Sequence, residues 1–506
     1  MSGLIVACGK PNSSELEVML QKIKHRGPDV CGIFRTNGIM MAQNYLEADG
    51  VAARENIEIP VQSSRNPNLI VCYDGQMGNW ADLARPHAIS NGPLREERLL
   101  VHLYEQNGKD MVRYLSDAIF AFAIADGDEL FAARDLLGIK TLYYGRKDHT
   151  LYLASELKSI VAVTDDVHEF PPGHYMDGHG CLTRFAQLPA SQPETLHTDL
   201  NVITETIRSI IRRSFSNRVD FRAPTGSLLS GGIDSSVIAC LANEAVKEKF
   251  GKDAKLETFA LGVGESSDIK NARIVADHVD SDHHELIVDL EQILAVLPDV
   301  IYYLESFDPS LVRSAVSNFL ISRYAREQGI EVLLSGEGGD EVFCGYTYLK
   351  DFPLEEQFSR QIECLGFLHN NASLRLDRMN SCHGVRVVTP LISGELLNYS
   401  LGIAPEYKQR PVPEGRIEKW IFRKAFEAML PEEIVWRLKQ EFSQGSGSAG
   451  LLAAYFEDMI SDSELAETQA AHPIVRSKEE LYYFRIFSEK FGAGKAMKTV
   501  GQWISL

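Results

Sequence analysis

Residues 227–238 read Ser-Leu-Leu-Ser-Gly-Gly-Ile-Asp-Ser-Ser-Val-Ile. Leu228 and Leu229 end an apolar run, Ser230 to Ser236 make a small polar turn carrying Gly231 and Gly232, and Val237 to Ala245 reads as helix. The order strand, glycine turn, helix aims backbone N–H groups and a helix N-terminus at one spot, which suits a phosphate. Glycine lets the backbone approach such an anion closely. Asp234 does not fit a plain phosphate cradle, because a carboxylate repels phosphate unless a cation lies between them. It is therefore a candidate Mg²⁺ ligand. A tight turn between a strand and a helix is the plainer alternative.

The loop lacks the Lys-Ser/Thr pair that follows the glycines of a Walker loop. It resembles instead the S-G-G-x-D-S loop of the PP-loop ATP pyrophosphatases, which split ATP between its α and β phosphates and transfer AMP to a substrate oxygen. Thr258 to Gly262 is a second apolar strand ending in glycine, with a helix running to His278. In a doubly wound sheet ligands sit at strand C-termini, so Leu261 either lines an adenine pocket or is plain core. Leu333 to Phe343 repeats the pattern, with Ser335 and Gly336 leading into three carboxylates within five residues, Glu337, Asp340 and Glu341. Such crowding is costly unless a cation or an amine binds there. Asp340 could then share Mg²⁺ with Asp234, and Glu337 could take a proton from an attacking amine or hold an ammonium. The alternative is a solvated acidic loop. Glu305, Asp308 and Arg313 are candidate substrate contacts, since the Arg fork suits a carboxylate, although an Arg bridging helices reads the same. Lys439, in Trp436–Gly445, is a candidate for neutralising the leaving pyrophosphate, or else a solvated lysine.

The rest of the chain bounds these readings. Its 506 residues suffice for two or three domains, and an apolar content of 44% is ordinary for a globular protein. A net charge of −19 is a poor match to nucleic acid or an anionic membrane. No apolar run is long enough to cross a bilayer, and the N-terminus reads as a first strand rather than a signal peptide. The eight cysteines are scattered without a C-x-x-C, which points to reduced thiols and a cytoplasmic protein.

Residues 1–190 alternate short strand-like runs with turn residues, and 14–24 and 95–106 read as helices, so an α+β domain with much antiparallel sheet is expected. A polar, Pro-bearing linker follows, placed at 191–200. Residues 201–506 read as a doubly wound α/β unit with strands at 227–229, 258–261, 284–287 and 332–334, and with none expected beyond about 353.

Taken together, the motifs resemble the glutamine-dependent asparagine synthetase B family over nearly the whole chain. They are Leu228–Ser236, Ser335–Tyr346, Trp436–Gly445 and, in the first half, His25–Asp29, Phe120–Ala123, Arg134–Lys140, Ser155–Lys158 and Phe170–Tyr175. The resemblance implies an N-terminal-nucleophile (Ntn) glutaminase-type sandwich followed by a PP-loop, adenine-nucleotide-hydrolase-like synthetase domain. It implies ATP and Mg²⁺ as cofactors, and an amino-acid-like carboxylate with an amine as substrates. ATP contacts would come from Leu228, Ser230, Gly231, Gly232, Asp234, Ser235, Leu261, Ser335 and Gly336, and catalysis from Glu337 and Lys439. Relatives are often homodimers, which no residue here indicates.

The chain also departs from the family. The family's nucleophilic cysteine is Ser2, its glutamine-binding arginine falls on Asn44, and its oxyanion-donating asparagine falls on Asp74, with Gln76 in the same altered stretch. A carboxylate at Asp74 repels an oxyanion. A degenerate glutaminase is expected. In 384–393, three family positions have become Arg386, Val388 and Ser393, in a stretch bordering the acceptor region. The expectation is an AMP-forming amide synthetase whose amine does not come from glutamine, as in a natural-product or antibiotic pathway. The alternatives are a β-lactam-synthetase-like ring closure, against which Glu337 stands where those relatives carry Tyr, and an ammonia-dependent asparagine synthetase.

Overall fold

A computed structural model describes residues 2–36, 38–46, 57–87, 89, 92–264, 266–440 and 442–503. The chain divides into two compact units, Met1–Leu188 with Phe491–Thr499, and Pro189–Lys490 with Val500–Leu506. This differs from the boundary expected at 191–200 in two ways. Residues 189–199 belong to the second unit, where the His197 amide donates to Gly402 O at 2.7 Å and its ring stacks on Tyr399. Residues 491–499 belong to the first unit, where Lys495 reaches Asp166 at 2.5 Å.

The first unit holds two six-stranded sheets. In one, Ser2–Cys8 lies between Ile39–Tyr45 and Thr150–Ala154. In the other, Ala118–Asp126 lies between Leu69–Met77 and Glu129–Arg134. All of these pairings are antiparallel. One apolar cluster joins Leu4, Val6 and Met41 of the first sheet to Cys72, Ala121 and Ala132 of the second. The small alanines allow two sheets to pack closely face to face. A second cluster lies on the other side of the second sheet, where helix Arg95–Asn107 buries Leu99, Leu100 and Leu103.

The second unit is built on a parallel sheet ordered 282–288, 257–263, 225–228, 332–334, 386–388. The expected strands are all present. Arg386–Val388 and the hairpin Gln409–Val412/Gly415–Glu418 contradict the expectation that none follows 353. These are strands of three or four residues with charged members, too short to show a period of two. The chain starts at the sheet's centre, runs out to one edge through 257–263 and 282–288, and then returns to the other side. The switch point therefore falls between Thr225–Leu228 and Val332–Leu334, where ligands of such sheets bind.

Buried ion pairs lock the helices around this sheet. Glu305, at the C-terminus of helix Leu290–Leu304, pairs at 2.8 Å with Arg378 of helix Ala372–Ser381, both side chains being fully buried. Removing one partner of such a pair strands the other charge. Arg378→Met or Glu305→Gln alone should cost about 3–5 kcal/mol in urea unfolding. The double variant should recover most of that loss. Additive losses in the double variant would show that the two side chains act independently.

Candidate active site

Helix Ile233–Phe250 begins at Gly232 with no side-chain cap, so its first N–H groups stay available to an anion. Gly231 has φ +66°, and a Cβ there would lie 2.4 Å from the Asn271 carbonyl carbon, so only glycine fits. The turn is braced internally. Ser235 Oγ donates to Gly232 O at 3.1 Å and accepts from the Ser230 amide at 3.2 Å, and Arg437 donates to Ser230 O at 3.0 Å. The loop after the neighbouring strand touches this turn, since a Cβ on Gly336 would come within 2.6 Å of the Asp234 carbonyl carbon. Glycine at 336 is what lets the two loops bring their carboxylates together.

Asp234 and Asp340 converge on Lys419, whose Nζ touches Asp234 Oδ2 and lies 2.6 Å from Asp340 Oδ1. Lys439 Nζ lies 2.8 Å from Asp340 Oδ2. Burial alone would raise the Asp340 carboxyl, but the Lys419 and Lys439 ammoniums hold it well below the usual carboxylate range. Burial alone would lower Lys439, and Asp340 with Asp234 raises it instead. Asp234 Oδ1 is buried and has no hydrogen-bond partner among the described residues, a cost that a cation would remove. Two converging carboxylates with one oxygen unmatched fit a Mg²⁺ that also binds phosphate oxygens. Glu341, next in the loop, is pushed up to about 7 by burial and by the charges of Asp340 and Glu337, and Tyr346 Oη donates to it at 2.6 Å.

One cavity connects these groups. Leu228, Phe259 and Leu261 give it apolar surface fit for a flat base, and Ser230, Gly232, Asp234, Ser235, Ser335 and Gly336 line it as well. Glu337 also lines it, and Arg375 donates to its Oε2 at 2.8 Å and to Asn318 Oδ1 at 2.7 Å. Tyr346 and Trp503 contribute aromatic rings to the same lining.

The structure thus draws together the residues expected to handle ATP and the acceptor chemistry; Gly231 shapes the turn from behind. It does not bring in Glu305, Asp308 or Arg313, none of which lines the cavity. Glu305 is held by Arg378, Arg313 by Glu479 at 2.9 Å, and Asp308 by Arg476 at 2.7 Å while it also caps helix Pro309–Glu327. Each of the three is thus held in an ion pair with another helix or segment of the second unit. The residues of the same helix that line the cavity are Ser310, Ser314, Asn318 and Ile321. Lys419, Arg375 and Asn318 had no signal in the sequence. Arg437, by contrast, stands within the motif that carries Lys439.

In the first unit Ser2, Asn44 and Asp74 are buried. Asp74 accepts from the Ser2 backbone N–H at 3.0 Å and pairs with Arg26 at 2.8 Å and Lys140 at 3.5 Å. Arg26 continues to Glu156, which Lys158 meets at 2.5 Å. Ser2 Oγ accepts from the Gln43 side-chain amide at 3.1 Å. Asn44 points away, donating to Leu20 O at 3.3 Å, and Gln76 stands opposite Ile119 in its strand.

The family model described as "Asparagine synthase" matches residues 206–363 and 354–498, and the one described as "Glutamine amidotransferase domain" matches residues 1–213. The chain is 32% identical to a glutamine-hydrolysing asparagine synthetase of Saccharomyces cerevisiae, over 98% of this chain and 93% of that protein. It is 31% identical to the glutamine-hydrolysing asparagine synthetase of Triphysaria versicolor, over 99% of this chain and 88% of that one. For the corresponding enzyme of Gallus gallus the identity is 30%, over 96% and 92%. The asparagine synthase match over 206–363 and 354–498, with relatives 30–32% identical over 96–99% of the chain, places this chain in the asparagine synthase family.

Proposed function

We propose that this protein is an ATP-dependent, AMP- and pyrophosphate-forming amide synthetase. It adenylates a carboxylate of an amino-acid-like substrate, and an amine supplied by a source other than glutamine then displaces AMP. The observation that carries this reading is the convergence of Asp234, Asp340, Lys419 and Lys439 above the turn at 230–236.

The substrate carboxylate oxygen attacks the α-phosphorus and pyrophosphate departs, leaving an acyl-AMP. The helix N-terminus at Gly232 and the turn N–H groups hold the phosphates, and Lys439 offsets charge on the departing pyrophosphate. Asp234 and Asp340 would hold Mg²⁺, which supplies charge neutralisation at the phosphates. The amine then attacks the acyl carbon, its proton passing to Glu337, and AMP leaves. Arg375 beside Glu337 keeps that carboxylate from facing AMP as a bare negative charge.

The first unit supports an amine source other than glutamine. Asp74 is committed to Arg26 and the Ser2 amide where an oxyanion would need a donor. With Glu337 retained beside the cavity, an intermolecular amine, ammonia included, is favoured over ring closure.

ATP–pyrophosphate exchange in the presence of aspartate, glutamate or related amino acids tests the reading. Exchange should require Mg²⁺ and stop with EDTA. Asp234→Ala and Lys439→Ala should each lower it by about 10²–10³-fold or more. Wild-type exchange that ignores both substitutions would overturn the assignment. Ser2→Ala should leave ammonium-dependent amide formation unchanged, with no glutamate released from glutamine by either protein. Glutamine hydrolysis that disappears in Ser2→Ala would refute the inactive first site.

A further inference from the structure

We propose that Trp503 is the specificity-determining wall of the acceptor end of the cavity, setting how long a carboxylate substrate can be. The proposal rests on the adenylating reading above. Trp503 comes from the last described residues of the chain, far in sequence from every motif of the site, yet its side chain lines the same cavity as Glu337 and Arg375.

The segment that carries it is fixed rather than loosely laid down. The Trp503 N–H donates to Asp308 Oδ2 at 3.2 Å, and its carbonyl accepts from Arg476 at 3.2 Å. Arg476 in turn pairs with Asp308 at 2.7 Å and with Glu480 at 3.0 Å. Gln502 donates to Ile474 O at 2.6 Å, and Gly501 is so close to Asn370 that a Cβ would lie 2.6 Å from that side chain. Asp308 also caps the helix that offers Ser310, Ser314 and Asn318 to the cavity. One carboxylate therefore sets the position of both the polar wall and the indole relative to each other.

The indole itself is clamped by aromatics. Its ring lies 5.4 Å from Tyr346, 5.1 Å from Phe367 and 6.1 Å from Tyr348, and it is 6% exposed. Tyr346 is bonded to Glu341 of the acidic loop, so the wall and the reacting groups share one rigid support. A large ring that cannot swing aside, lining the same cavity as polar groups suited to an amino acid's head, limits what may project behind that head. In such a pocket one methylene is worth about 10–200-fold in discrimination.

The test compares wild type, Trp503→Phe and Trp503→Ala for pyrophosphate release with aspartate, glutamate and 2-aminoadipate, each at saturating ATP. The kcat/KM ratio of longer over shorter acid should rise about 10–200-fold in Trp503→Ala. In Trp503→Phe it should rise in the same direction by less, with KM for ATP unchanged in both. An unchanged ratio in folded Trp503→Phe or Trp503→Ala, judged by circular dichroism melts, overturns the wall. If Trp503→Ala does not fold, the ratio in Trp503→Phe decides. If the wild type releases no pyrophosphate with any acid, the adenylating reading has failed separately. The same acids then serve as binding probes by thermal shift. Preference for the shorter acid that relaxes in Trp503→Phe keeps the wall, and equal shifts or none in both proteins remove it.

Discussion

Two carboxylates at adjacent strand ends repel each other, and the second unit is arranged around offsetting that repulsion. Lys419 sits between Asp234 and Asp340, and Lys439 adds a second positive charge to Asp340. In a partly buried setting each attraction is far stronger than in water. Lys419 reaches its place from a backbone with φ +52°, one residue before helix Trp420–Phe426. A non-glycine residue in that region is uncommon and costs free energy. The strain persists because the two aspartates hold the ammonium that lies above them.

The glycines and the charges need each other. Gly336 lets the second loop press against the first, and Gly339 leaves room for Asp234 Oδ1, which a Cβ would meet at 2.1 Å. Without that close approach, Asp234 and Asp340 would not share Lys419. With it, the Lys419 ammonium lies between them and ties the two loops together.

The sequence disclosed what repeats or breaks a local rule. The glycine turn, the acidic loop and the departures at Ser2, Asn44 and Asp74 each stand out against their neighbours, and the expected strands of the second unit lie within the observed ones except for 227–229, where the strand ends at Leu228. What stayed hidden was decided by long-range packing. Lys419 reads as an ordinary residue before a helix, and nothing in Arg375-Leu376-Asp377-Arg378 says that Arg375 faces the cavity while Arg378 faces Glu305. Asp308 reads as a candidate substrate contact beside Glu305 and Arg313, and in the structure it pairs with Arg476. Strand Arg386–Val388 escaped because three residues carry no period.

The excursion of residues 491–499 into the first unit has a practical side. The two units are not beads on a string, because the polypeptide passes from the second to the first and back again. No single cleavage between them releases both intact. A cut within 189–199 would leave the first unit's own residues 491–499 attached to its neighbour, and removing everything past 490 would take Trp503 away as well. Dissecting this protein into halves therefore calls for a circular rearrangement or a third fragment.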